Sequence, residues 1–376
     1  MIETDIVVGS GLKLACPRGD LARQLGVVAR AVSTRNAVQV LLGIQLRAEG
    51  GRLRLAATDM ELSLRASLDA EVQGEGSVVV PGRLLVDIAR LLPEGEVSIE
   101  HRPDEGVVHL ECGPAHYRLH SYSSEDFPRL PDLEGLGTFT VEREAFLETV
   151  ARVSRAASRD ESRPVLTGIL VRFEEGKLVM AATDSYRLSV KETTLSSDAP
   201  ALEAIIPARA LGELTRLAQT GEAIELGVHE NQVVFNLGGV TLTTRRIDGQ
   251  FPNYKQLLPE RFEHEVVMPR AELLEVVRRT AVMAQRNSPL RLRFSEGELA
   301  ISAQTQDVGE SRESLPIAFE GDALEIGFNA EFLREGIESV PSEEVTLKLI
   351  SPLRPGLIQG EADDFSYLIM PIRLAG

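Results

Sequence analysis

Residues 55–65 read LAATDMELSLR and residues 180–190 read MAATDSYRLSV, an apolar-Ala-Ala-Thr-Asp string met twice, with Asp59 and Asp184 125 positions apart (184 − 59). Two aspartates in matching contexts are either an acid pair supplied by two similar lobes or one turn copied with a duplicated domain. The surrounding passages favour the copy. LLGIQLRAEGGRLRLAATDMELSLRASL from Leu41 matches VLTGILVRFEEGKLVMAATDSYRLSVKETTL from Val165. Both alternate apolar and polar residues, break at an acidic-Gly turn (Glu49-Gly50-Gly51 and Glu175-Gly176) and alternate again, which predicts an antiparallel hairpin with one wet face.

A third, more diverged copy is PLRLRFSEGELAISAQTQDVGESRESL from Pro289, with Ser295-Glu296-Gly297 at the turn and Ala303-Gln304-Thr305 near the position of the Ala-Ala-Thr-Asp string. The repeat is therefore threefold, with a period of about 125 residues. A helical pattern precedes each hairpin: DLARQLGVVARAVSTR from Asp20, EREAFLETVARVSRAASR from Glu142 and RAELLEVVRRTAVMAQR from Arg270. Apolar residues recur three and four apart, as in Phe146, Leu147, Val150 and Val153, so one stripe packs on a sheet. A similar half comes after each hairpin: VVVPGRLLVDIARLLPEGEVSIE from Val78, AIIPARALGELTRLAQTGEAIELGV from Ala204 and LEIGFNAEFLREGIESVPSEEVTLKLI from Leu324. The first two place Pro at the helix entrance and the third places Asn-Ala there. Pro-rich joins, EDFPRLP at 125–131 and GQFPNYKQLLP at 249–259, set domains of 1–134, 135–262 and 263–376.

A chain of 376 residues exceeds what one core usually supports, in keeping with several domains. No run of about 18 apolar residues occurs, so no membrane span is expected. The acidic start, MIETDIVVGS, predicts a cytoplasmic protein. Cys16 and Cys112 are too few for a disulfide scaffold. The net charge of −17 argues against phosphate binding by the surface as a whole. The placement of the basic residues argues otherwise. Residues seven apart on a helix share a face, and Arg23/Arg30, Arg83/Arg90, Arg152/Arg159 and Arg209/Arg216 all have this spacing in predicted helices, with Arg278 and Arg279 on the comparable helix of the third repeat. Recurrence in equivalent helices predicts a basic surface for a polyanion inside an otherwise acidic protein.

Catalytic alternatives fare poorly. A bilobal aspartic hydrolase using Asp59 and Asp184 needs Asp-Thr/Ser-Gly, whereas Met60-Glu61 and Ser185-Tyr186 come next here. His109, Cys112, His116 and His120 fall close together, but VVHLECGPAHYRLHS reads as a hairpin turning at Gly113-Pro114, with His116 and His120 about 13 Å apart along a strand. VVGSGLKL near the N-terminus lacks the spacing of a phosphate loop and reads as a surface turn.

The threefold repetition over essentially the whole chain, TDSYRL at 183–188, FPNYKQLLP at 251–259 and the terminal MPIRL at 370–374 together resemble the bacterial DNA sliding clamp family, the beta subunit of DNA polymerase III. The resemblance implies an α+β fold of three DNA-clamp domains, each of two strand-helix-strands halves. Helices would line a ring closed by a second, identical chain, with antiparallel sheets outside. It implies a non-catalytic processivity factor without cofactor, metal or 3′–5′ exonuclease activity, holding double-stranded DNA topologically and without regard to sequence. Arg35 joins the helix arginines as a DNA contact. A peptide pocket for the polymerase III alpha subunit, the clamp loader and other clamp-binding proteins would use Arg163, Leu166, Thr183, Ser185, Tyr186, Arg187, Leu188, Pro252, Leu257, Leu353, Pro355, Ile369, Met370, Pro371, Ile372, Arg373 and Leu374. Three features depart from the family's pattern: Tyr186 where His is frequent, Asp160 where a neutral or basic residue is found, and Ala375-Gly376 beyond the usual terminal Leu. A diverged paralogue of the clamp is the reading nearest to this one.

Overall fold

Each predicted hairpin forms in the computed structural model, which describes residues 11–34, 38–130, 137–174, 176–196, 199–217, 222–229, 231–284, 288–305, 308–362 and 364–374. The first repeat gives β1 (Lys13–Pro17), α1 (Arg18–Val28), β2 (Gly43–Glu49), β3 (Arg52–Thr58), β4 (Leu62–Asp69), β5 (Glu71–Gly74), β6 (Gly76–Pro81), α2 (Gly82–Leu91), β7 (Glu96–Arg102), β8 (Val107–Cys112) and β9 (Ala115–His120). The second gives β10 (Thr138–Glu142), α3 (Arg143–Val153), β11 (Gly168–Glu174), β12 (Lys177–Thr183), β13 (Arg187–Thr194), β14 (Leu202–Pro207), α4 (Ala208–Leu217), β15 (Ala223–His229), β16 (Gln232–Leu237) and β17 (Val240–Arg245). The third gives β18 (His264–Pro269), α5 (Arg270–Ala281), β19 (Leu290–Ser295), β20 (Glu298–Thr305), β21 (Gly309–Pro316), β22 (Leu324–Phe328), α6 (Ala330–Ser339), β23 (Glu344–Leu349), β24 (Gly356–Gln359) and β25 (Phe365–Ile369). Apart from the extra β5, the three runs correspond element for element.

The local reasons are visible in the turns. Gly50, Gly51, Gly176 and Gly297 stand at the hairpin tips with φ of 58°, 75°, 74° and 73°, left-handed conformations that only glycine adopts without strain. Pro81 and Pro207 end the strands ahead of α2 and α4. In the third repeat Asn329 caps α6 instead, its side chain accepting from the Phe332 amide at 3.0 Å, a contact worth ~1 kcal/mol. The helix stripes are as the spacing predicts, with Leu21, Leu25 and Val28 of α1, Phe146, Val150 and Val153 of α3, and Leu273, Val277 and Thr280 of α5 buried. Leu147 is only half-buried. Thr149 is buried in that stripe because its hydroxyl donates to the Ala145 carbonyl at 2.7 Å and lies 2.7 Å from the Thr193 hydroxyl, which satisfies the polar atom.

Contacts divide the chain into two units, Met1–Val141 with Arg216–Arg246, and Glu142–Thr215 with Ile247–Gly376. The first holds a five-stranded sheet, β5-β1-β7-β8-β9, and an eight-stranded sheet, β10-β15-β16-β17-β4-β3-β2-β6. The second holds an eight-stranded sheet, β14-β11-β12-β13-β25-β24-β23-β18, and a four-stranded sheet, β21-β20-β19-β22. Each eight-stranded sheet is two quartets from successive repeats joined edge to edge. β17 meets β4 with Thr243 opposite Ser63, and β13 meets β25 with Ser189 opposite Tyr367. The other two sheets end in β5 and β9 and in β21 and β22, none of which has a further neighbour among the described residues. Phe294, Phe328, Phe365, Tyr367, Leu333 and Ile337 are among the buried residues of one core in the second unit.

Candidate functional site

The two Thr-Asp strings build the same turn. Thr58 donates its hydroxyl to the Leu62 carbonyl at 3.1 Å, and Asp59 Oδ1 accepts from the amides of Glu61 and Leu62 at 3.1 and 2.8 Å. In the second copy Thr183 donates to the Arg187 carbonyl at 2.6 Å, and Asp184 Oδ1 accepts from the amides of Tyr186 and Arg187 at 2.9 and 3.0 Å. Met60 and Ser185, the next residues, both take a left-handed φ, 77° and 80°. Each aspartate therefore caps its own turn, and no hydrolytic dyad is supported.

The two turns part company at Arg187, three residues past the second aspartate. Arg187 is 8% exposed, and its Nε donates to Asp184 Oδ2 at 3.0 Å. Its Nη1 reaches Glu335 of α6 and donates to the Tyr367 hydroxyl at 3.3 Å, while the guanidinium lies 4.1 Å from the Phe332 ring centre. The Tyr367 hydroxyl in turn donates to the Phe332 carbonyl at 2.9 Å. Burial alone would lower the Arg187 pKa, but the Tyr367 hydroxyl and the Glu335 carboxylate raise it overall. Burial pushes the Tyr367 phenol up. Arg187 thus ties the Thr-Asp turn to α6 and β25, whereas sequence alone casts it as a direct peptide contact. Glu335, Phe332 and Tyr367 belong to no motif visible in the sequence, although Asp87 and Glu213 at the matching positions of α2 and α4 mark the acidic site.

Some of the other expected pocket residues meet this turn, and the rest are placed only by their own neighbours. Arg163 Nη1 donates to the Ser185 hydroxyl at 3.0 Å, and Arg163 Nε lies 3.5 Å from Asp160. Hydrogen bonding from Ser162 holds the Asp160 carboxyl below its ordinary range. The Met370 amide donates to the Tyr186 carbonyl at 2.8 Å, continuing the β13–β25 ladder. Across the other edge of β25, Gly356 pairs with Ile369, so Pro355 is the next position on that side. Tyr186 and Met370 are 62% and 43% exposed, and Leu257 and Leu353 are exposed as well. Pro252 is exposed and its carbonyl accepts from the Tyr254 amide at 2.7 Å. Leu188, Phe251 and Tyr254 pack in one core cluster with Leu368, and Leu166 and Ile369 are buried. The Ile372 amide donates to the Gly327 carbonyl at 2.8 Å, and a Cβ on Gly327 would meet Leu374 at 2.6 Å. Pro371 is half-buried and Arg373 exposed. Ala375 and Gly376 lie outside the described residues. A separate cavity of about 280 Å³ lies in the first unit, lined by Val32, Ser33, Leu42, Pro81, Arg83 and Tyr122, and contains none of the pocket residues.

The basic helices are more heterogeneous than their spacing suggests. Arg83/Arg90 and Arg209/Arg216 share α2 and α4 as expected. Arg23 is on α1, 2.9 Å from Asp20, but Arg30 lies in a 3-10 turn, Ala29–Ala31. Arg159 is in no helix, because α3 ends at Val153 and the 3-10 turn Ser154–Ala156 comes directly after it. In the aligned repeats Arg155, missed by the seven-residue spacing, takes the place of Arg30. Arg152 has a side chain 12% exposed, contacts Glu148 and donates to the Ser339 carbonyl at 3.4 Å. Arg278 donates to Glu338 at 2.8 Å, and Arg279 to Glu313 at 2.7 Å and Glu275 at 3.1 Å. Arg35 and the VVGS portion of the glycine-rich start lie outside the described residues.

The histidine segment is the predicted hairpin, with Gly113 at φ 55° in its turn. Its register sets Glu111 opposite His116, at 3.3 Å, and Val107 opposite His120, so the four candidate ligands do not converge on one point.

Family models of the N-terminal, central and C-terminal domains of the DNA polymerase III beta subunit match residues 12–131, 140–253 and 255–373. A beta sliding clamp of Streptomyces coelicolor is 36% identical over 380 residues, covering 97% of this chain and all of its own. One from Synechococcus elongatus is 34% identical over 375 residues, covering 96% and 100%. A crystal structure of a Pseudomonas aeruginosa sliding clamp bound to griselimycin superposes with a TM-score of 0.90 at 28% identity, over 97% of this chain and 100% of that one. With its tripled repeat, its turns used as caps and relatives matched end to end, the chain belongs to the bacterial beta sliding clamp family, the non-catalytic processivity subunit of DNA polymerase III.

Proposed function

We propose that two copies of this chain close head to tail around duplex DNA, slide on it, and tether replication proteins through the surface around Met370. The terminal strands β9 and β21 carry the reading. Wherever successive repeats join, the last strand of one half-repeat meets the last strand of the other kind: β17 with β4, β25 with β13. In the same alignment β9 corresponds to β17 and β25, and β21 to β4 and β13. The one such pairing left is β9 of one copy with β21 of another. β9 carries the basic Arg118 and β21 a net acidic set, Glu310 and Glu313 flanking Arg312, with Glu313 also held by Arg279.

DNA held by encirclement needs only weak phosphate contacts, which the helix arginines supply without reading bases. Tyr186, paired by its backbone with Met370, and the exposed Leu257 and Leu353 would supply the apolar and aromatic contacts for a peptide's anchors, with Arg163 on the Thr-Asp turn to fix direction. The polymerase III alpha subunit, the clamp loader and other carriers of a short clamp-binding peptide are the partners this implies. The test is retention after loading on nicked circular DNA, before and after the circle is cut. The protein should run off the linear form, and equal retention on both forms would overturn encirclement.

A further inference from the structure

The second helix of each repeat carries an arginine pair seven residues apart in the first two copies and none in the third. Aligned on the strand ends ahead of them, Arg83, Arg209 and Glu331 occupy one position and Arg90, Arg216 and Glu338 the other. The third repeat has inverted both charges. Its first helix has changed in the opposite sense, since Arg278 of α5 stands where α1 has Gly26 and α3 has Ala151. In the first repeat a Cβ on Gly26 would lie 3.7 Å from Arg90 Nη2, so α1 there leaves space beside the arginine of α2. In the third, the arginine comes from α5 and a carboxylate from α6 faces it.

Both oxygens of that carboxylate are occupied. Glu338 Oε1 accepts from Arg278 Nη2 at 2.8 Å, and Oε2 contacts Arg155 Nη1. The Glu338 side chain is 17% exposed, while Arg155 and Arg278 are 41% and 54% exposed, so the carboxylate sits beneath two guanidiniums that remain reachable from solvent. Arg155 corresponds to Arg30, and Arg278 is one of the helix arginines expected to meet DNA.

We infer that Glu338 sets how strongly this part of the clamp grips DNA, acting as an internal stand-in for a phosphate that keeps Arg155 and Arg278 occupied until the backbone of the duplex displaces it. The inference rests on the DNA-encircling reading above. A phosphate must compete with a carboxylate already in place, so the net gain per contact is small and fewer counterions are released per bound DNA. The effect favours sliding over fixed attachment.

The experiment is equilibrium binding of the full-length protein to a short duplex by fluorescence anisotropy over a salt series. It compares wild type, Glu338→Gln, Glu338→Arg and Glu331→Arg, each first checked for an unchanged circular dichroism spectrum. Each phosphate newly neutralised steepens the plot of log K against log salt by about 0.9. Glu338→Gln releases two guanidiniums and should steepen it by about 1 to 2. Glu338→Arg restores the residue of the other repeats and should steepen it by about 2 to 3. Glu331→Arg makes the same charge change without releasing an arginine and should steepen it by no more than about 1. Wild-type slopes in folded Glu338 variants, or an equal response to Glu331→Arg and Glu338→Arg, would overturn the inference while leaving encirclement standing. Run-off from cut circles tests encirclement separately, and its failure would remove both.

Discussion

Arg187 shows why a residue's type in a motif does not fix its task. Two carboxylates, a phenol and an aromatic ring enclose its guanidinium, and removing it would strand Asp184 and Glu335 in a largely buried setting. Arg187→Ala should therefore destabilise the fold by about 3–5 kcal/mol in urea unfolding. Arg187→Lys should recover little of that, since an ammonium cannot reproduce the planar, multiply donating contacts. Met370 makes the opposite case, because its side chain is half-exposed and bears on no buried polar network. Met370→Asp should leave the thermal midpoint unchanged and weaken binding of a clamp-binding peptide at least about tenfold, measured by fluorescence polarisation. The motifs TDSYRL and MPIRL mark the region of both residues, but only the cap on Asp184 is local. The partners of Arg187 on α6 and β25 lie more than a hundred residues on, and no spacing rule connects them.

At the level of elements, periodicity carries most of the information. Hairpins declare themselves through alternation and a glycine at the tip, and helices through stripes whose buried positions agree in all three repeats. The ends of helices are less legible. Arg159 satisfies the seven-residue rule yet stands beyond α3, because a 3-10 turn closes the helix six residues earlier. Aligning repeats, rather than counting along one helix, identifies Arg155 instead. The Thr-Asp turn offers a direct test of backbone strain. Met60 holds φ at 77° with its side chain exposed, so Met60→Gly should be neutral to stabilising by up to ~1 kcal/mol in chemical denaturation. Asn329→Ala, which removes the cap of α6, should lower stability by ~1 kcal/mol.

For the whole molecule, the acidic composition conceals paired charges whose protonation is linked to folding. Glu338 is held below its ordinary pKa of 4.5, burial raising it but hydrogen bonds from Arg278 and Arg155 outweighing that. A carboxylate depressed on folding stabilises the native state above 4.5, and that contribution disappears as pH falls through the lower folded value. The difference in thermal midpoint between wild type and Glu338→Gln should therefore be greatest near neutral pH and shrink as pH falls below 4.5. Across the proposed subunit junction, Arg118→Glu on β9 would set like charges against β21, and sedimentation equilibrium should show a dimer weakened about tenfold.

The open strands β9 and β21 also bear on the life of the protein before the proposed pairing with a second copy. If these strands pair as proposed, a lone chain leaves both open, and a building block with two complementary edges can add further copies as well as close. Newly made chains at low concentration are thus exposed to pairing with foreign strands. In the proposed dimer, abundance becomes a matter of solubility as well as supply, since a cell that keeps the chain plentiful keeps those edges covered.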